Sequence, residues 1–146
     1  MPEIVPFTKD HILSSIELWR STEYIGLNDL DDREDRIASF LERNVGCSFV
    51  AVERSNLVGA CLCGHDARRG YIYHLAVDKS CRRAGIATKL VASALGGLAA
   101  AGIAKCHIHV FVDNPNGAAF WATEGWQHRT DLNSYSIYTS PSSIAR

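Results

Sequence analysis

The chain has 146 residues, 47% of them apolar and 21% charged, with a formal net charge of −1. That size and balance suit one domain spanning 1–146 with a substantial core, and the lack of a basic excess argues against nucleic acid as a partner. No stretch reaches the roughly 18 uncharged residues of a membrane span, and the opening MPEIVPFTKD lacks the pattern of a secretory signal; a soluble, cytoplasmic protein without a membrane partner is expected.

Glu3 to Phe7 alternates as a short strand, and Thr8 can cap a helix whose Ile12, Leu13, Ile16 and Trp19 form one stripe down to about Arg20. The loop Ser21 to Asp32 follows, with the acids Glu23, Asp29, Asp31 and Asp32, and then a second amphipathic helix with Ile37, Phe40 and Leu41. Asp31 or Asp32 is placed to cap that helix, and the same acids would also attract a cationic substrate. Cys47 to Glu53 and Leu57 to Gly64 read as a hairpin joined by Arg54-Ser55-Asn56. After a polar turn, the aromatic run Tyr71 to Val77 makes a third consecutive antiparallel strand.

The stretch Cys81 to Thr88 turns this strand into a helix that carries Ile86, Ala87, Leu90, Val91, Ala94, Leu95 and Leu98 at helical spacing. Gly85 and Ala87 are small enough for a ligand to approach the backbone, and the first helical turn offers unpaired N–H groups with Arg82 and Arg83 beside them. An anion fits there. Within the helix, Gly96 and Gly97 each cost roughly 1 kcal/mol against alanine, which asks for a packing reason; Gly102 is its stop. Ile103 to Val112 reads as a strand parallel to Tyr71–Val77, reached by a right-handed crossover. Asn114 can cap a helix with Pro115 at its first position, ending at Gly125. Trp126 to Asp131 and Ser134 to Thr139 look like a final strand pair, able to pair across a homodimer, before a frayed tail from Pro141 to Arg146.

Five cysteines, Cys47, Cys61, Cys63, Cys81 and Cys106, form an odd set without CxxC spacing and read as reduced thiols. Cys61, Cys63 and His65 would share one face of a strand, as would His107 and His109 on another, but neither set has a familiar ligand spacing. Core packing accounts for both, and no metal is expected.

Leu75-Ala76-Val77 before Arg82-x-x-Gly85-x-Ala87, followed by Asn114, Phe120-Trp121 and Gly125-Trp126, resembles the GNAT superfamily of acyl-CoA-dependent N-acetyltransferases from Ile4 to about Tyr138, most closely its small single-domain bacterial members. The resemblance implies a mixed α/β fold, with a mostly antiparallel sheet of six or seven strands flanked by about four helices. It implies acetyl-CoA as co-substrate and direct transfer to a primary amine, on a small molecule or a peptide N-terminus. Backbone groups of Leu75, Ala76 and Val77 would pair with the pantetheine arm, and Arg82, Arg83, Ala84, Gly85, Ile86, Ala87 and Thr88 would hold the pyrophosphate. Asn114 would reach the CoA arm, with Phe120 and Trp121 near it.

Two departures from the family bear on catalysis. Arg83 and Trp121 stand where many members have glycine and tyrosine, and an indole cannot protonate a departing thiolate as that tyrosine does. Tyr71 and Tyr73 occupy positions where members often carry a Glu or His base, which leaves Tyr73, His74 and Glu23 as catalytic candidates. Strand alternation sets His74 on the opposite face from both tyrosines unless a bulge intervenes. The rival expectation is a CoA-binding sensor module with little or no turnover.

Overall fold

The computed structural model describes residues 1–82 and 84–140; Arg83 and the tail Pro141–Arg146 lie outside the described residues. The chain divides into two compact units, Met1–His109 and a second beginning at Val110.

The first unit holds a five-stranded sheet in the order β1-β2-β3-β4-β5: Glu3–Pro6, Phe49–Glu53, Asn56–His65, Gly70–Val77 and Cys106–Ile108. The first four strands are antiparallel neighbours, and β5 joins β4 in parallel. Pro6, which cannot donate to a ladder, ends an edge strand, where that is tolerated. Arg54 and Ser55 turn the β2–β3 hairpin with φ of 51° and 68°, the positive values a two-residue type I′ turn needs.

Helix α1, Ile12–Arg20, lies on one face of the sheet. Its Ile12, Ile16 and Trp19 are buried in one cluster with Val50, Leu62 and Ala76 of the strands, the main apolar burial that stabilises this unit. Thr8 opens a 3₁₀ turn, Lys9–His11, that leads into α1, and its N–H donates to His11 Nδ1 at 3.0 Å. Helix α3, Ile86–Ala100, joins β4 to β5 and packs where glycines let it approach. A Cβ added at Gly59 would lie 3.1 Å from Leu90 Cδ1, and one at Gly70 2.5 Å from Leu98 Cδ1. Helix α2, Glu34–Arg43, begins after Arg33, so neither Asp31 nor Asp32 is its cap. In the second unit, α4, Pro115–Thr123, is capped by Asn114 as expected, and Gly125 follows its end with φ of +89°.

The expected six or seven strands are five among the described residues. Trp126–Asp131 and Ser134–Thr139 form no ladder, and Leu132, Tyr135 and Ile137 are 60%, 80% and 90% exposed. An alternating apolar pattern makes a strand only where a neighbour takes its backbone bonds and covers one face. For the same reason the strand expected over Ile103–Val112 is reduced to Cys106–Ile108, the stretch that pairs with Gly70–Ile72.

Candidate active site

β4 is paired with β3 from Gly70 to Val77, Tyr73 excepted, but along only three residues with β5. The parallel ladder ends at Ile72↔Ile108, so Tyr73–Val77 has no recorded β5 partner. That edge, without a strand partner among the described residues, runs directly into the stretch Cys81–Thr88. Asp78 closes the strand by accepting from the N–H and Oγ of Ser80 at 2.9 and 2.7 Å, which holds its carboxyl below the usual carboxylate range. Arg82 Nε donates to the Val77 carbonyl at 3.2 Å and so folds the loop back onto the end of β4.

Gly85 then takes the left-handed conformation, φ +76° and ψ 13°, at the start of α3, and a Cβ there would meet nothing within 4 Å. The first helical bond runs from Lys89 N–H to the Gly85 carbonyl, and Gly85 offers no side-chain cap. The amides of Ile86 and Ala87 therefore precede the helical ladder at the positive end of the dipole. The Gly85 bend is therefore sterically open and lies at the positive end of the helix. Arg83 falls outside the described residues.

A bulge changes which side chains β4 presents. His74 pairs with Leu62 and Ile72 with Cys63, so Tyr73 is skipped and the alternation resets. Gly64, the partner of Tyr71, faces Phe40 and Asn44, while Leu62, the partner of His74, sits in the Trp19 cluster. Tyr71 and His74 thus share the side of the sheet covered by α1 and α2. Tyr73 stacks on Tyr71 with ring centroids 6.0 Å apart and meets Phe40 edge-on at 5.7 Å; burial, with Tyr71 beside it, raises its phenol above the usual value.

His74 lies against Trp19, ring centroids 4.9 Å apart, and its Nε2 is 2.8 Å from Asp32 Oδ1. The two side chains are 9% and 10% exposed. Asp32 Oδ2 also accepts from the Asn28 N–H at 2.8 Å. Asp32 also lines a cavity of about 240 Å³, with Ile16, Trp19, Ile25 and Leu27 among its other lining residues, while His74 stands behind the carboxylate, outside that lining. Glu23 is exposed on the same loop and is not part of that lining. The acidic loop and His74 are each visible in the sequence, but their pairing is not. They stand 42 residues apart, and only the bulge brings them together.

In the second unit Asn114 Oδ1 accepts from the Gly117 N–H at 3.0 Å. Trp121 is buried between Phe120 and Trp126, with ring centroids 5.0 and 4.6 Å away, and its carbonyl accepts from the Trp126 N–H. The Trp121 indole serves there as a packing group.

The sequence matches the Acetyltransferase (GNAT) family model over residues 13–126, more than half of the chain. It is 34% identical over 84 residues to N-alpha-acetyltransferase 30 of Schizosaccharomyces pombe, covering 54% of this chain and 56% of that protein. The chain thus spans a little over half the length of the curated relative it matches. Among solved structures, a GCN5-related N-acetyltransferase from Ralstonia eutropha JMP134 aligns with a TM-score of 0.70 at 23% identity, over 93% of this chain and 99% of that one. AAC(6')-Iy, solved with the bisubstrate analogue CoA-S-monomethyl-acetylneamine, aligns with a TM-score of 0.76 at 16% identity, over 94% and 99%. At these identities the two structures bear on the fold alone.

Proposed function

Because the chain belongs to the GNAT acetyltransferase family, we propose that it transfers the acetyl group of acetyl-CoA directly to a primary amine of a small molecule or a peptide N-terminus. One observation carries the reading: the free edge of β4 at Tyr73–Val77 leads straight to the Gly85 bend and the uncapped start of α3. A ligand with amides at one end and phosphates at the other matches both parts. Its amides would complete the ladder beside Leu75, Ala76 and Val77, and its phosphates would lie against Arg82 to Thr88 and the helix dipole. The roles of Asn114, Phe120 and Trp121 rest on the family motif alone. The family match runs over residues 13–126, across the boundary between the two units, and supports treating 1–146 as one acetyltransferase domain. Five free cysteines suit a reducing compartment, and the cytoplasm is the location we propose.

Bound acetyl-CoA supplies a thioester whose leaving group, a thiol of reference pKa near 8.5, departs readily as thiolate. One C–N bond replaces one C–S bond; the amine gives up a proton to a base or water, and the sulfur leaves with the electron pair. The chain holds the two reactants together and offers backbone N–H groups of the β4 edge to the carbonyl oxygen. Of the three catalytic candidates, Tyr73 is held in its protonated form and suits a donor better than a base. Glu23 is exposed, and His74 is engaged with Asp32.

Thiol release from acetyl-CoA, measured against a panel of amines, tests the proposal. Release should depend on the acceptor, and Gly85→Leu, which forces a side chain into the left-handed region, should raise the KM for acetyl-CoA at least tenfold. Tight CoA binding without acceptor-dependent release would instead favour a sensor module.

A further inference from the structure

We infer that Asp32 is the acceptor-binding carboxylate of this protein, with His74 as the positioning residue that aims it, and that it takes a protonated primary amine on a body of about one residue's size. The inference rests on the acetyl-transfer reading for its word "acceptor".

Asp32 is a nearly buried carboxylate with no Lys or Arg partner among the described residues. Burying such a group is costly unless a countercharge and hydrogen bonds compensate. Two bonds, from His74 Nε2 and the Asn28 N–H, use about half of the roughly four lone-pair positions of a carboxylate. The remainder can accept from an ammonium group. The lining is mostly polar: Thr22, Tyr24 and Asn28 stand beside the carboxylate, and Ile25 and Leu27 offer a smaller apolar surface. The lining also includes Arg20 and Asp29, which are exposed and opposite in sign, so Asp32 is its buried charge. A cavity of about 240 Å³ is smaller than the roughly 300–1,000 Å³ of sites for drug-sized ligands, and so fits one end of an amine rather than a multi-ring molecule.

Among the described residues His74 has one polar partner. Its Nδ1 is buried with none, a deficit of about 1–3 kcal/mol that an apolar residue at this strand position would avoid. The compensating feature is the bond to Asp32, which ties the cavity to β4 one residue before Leu75, within the stretch whose edge is free.

Calorimetric titration of n-butylamine and of the tripeptide amide Leu-Ala-Ala, each with CoA present, tests the inference. Asp32→Asn should weaken amine binding at least tenfold and leave the KM for acetyl-CoA within twofold. His74→Leu should do the same, and His74→Gln, whose amide can still donate to Asp32, should recover most of the loss. A purely structural role would move the melting temperature and both KM values together. Ile25→Trp fills the cavity without touching the pair and serves if Asp32→Asn does not fold; it too should abolish amine binding. Tighter binding of the tripeptide would assign the site to peptide N-termini, and equal binding to free amines, either supporting an ammonium site. Unchanged amine binding in both Asp32→Asn and Ile25→Trp overturns the inference. Acceptor-dependent transfer with an unaltered acceptor KM in Asp32→Asn defeats the inference and spares the transfer reading; amine binding lost in the variants, without transfer by the wild type, does the reverse.

Discussion

Cys63 and Cys106 act on each other: their interaction pushes the Cys63 thiol up and draws the Cys106 thiol down, while burial pushes Cys61 up to about 12. Since the thiolate is the nucleophile, iodoacetamide at pH 8 should label Cys106, which is also less buried, well ahead of Cys61 and Cys63, as mapped by mass spectrometry; equal labelling would contradict this order. Cys61 also makes stability depend on pH. Its thiol is raised in the folded state, so its contribution is fully present below the usual value of 9.0 and is lost as pH rises toward 12. Across that window the wild type should lose up to about 4 kcal/mol relative to Cys61→Ala, read as diverging urea midpoints; parallel pH profiles would remove the effect. The sequence marks these cysteines as reduced and apolar in setting, but which sulfur meets which depends on strands far apart in the chain. His74 is similar. Its residue type is plain from the sequence, and its face is set by a bulge that no local pattern announces.

At the scale of elements, the Gly96-Gly97 pair in α3 shows both what sequence can reveal and what it omits. Two glycines inside a helix ask for a reason, and only Gly97 has one: a Cβ there would lie 2.0 Å from the Gly46 carbonyl oxygen, whereas one at Gly96 meets nothing within 4 Å. Gly96→Ala should therefore stabilise the protein by about 1 kcal/mol. Gly97→Ala should destabilise it by about 1–3 kcal/mol, because the blocking atom is backbone. Denaturant melts of the two variants decide this, and shifts of the same sign would contradict the packing. Order and type were legible for all four helices and the first four strands, through periodicity, Gly102 and the Asn114-Pro115 start. Strand ends were not, since a ladder's length is set by its partner. Ile103–Val112 has the composition for a long strand but pairs only where β4 stays alongside.

For the molecule as a whole, the sheet's pairing is what links family to chemistry. The strand-to-helix bend could be read directly because Arg82, Gly85 and Ala87 lie within six residues of chain. The cavity beside Asp32 draws its lining from α1 and the following loop, which are neighbours in the chain, but the contact that ties Asp32 to His74 of β4 spans 42 residues and could not be read. If CoA completes the sheet along Tyr73–Val77, binding should both stabilise the fold and protect particular amides. At a concentration near 100 times its Kd, CoA would add about 2.7 kcal/mol, raising Tm by about 5–10 °C for a chain of this size. In hydrogen exchange, protection should rise along the free edge of β4 and at the amides of Ile86 and Ala87, groups that lack a strand partner or precede the helical ladder. The strands β1 and β2, remote from that edge in the sheet order, should gain only the general stabilisation. Protection confined to the start of α3 would mean that the loop holds phosphate while the β4 edge holds nothing, and the added-strand account of the site would fall.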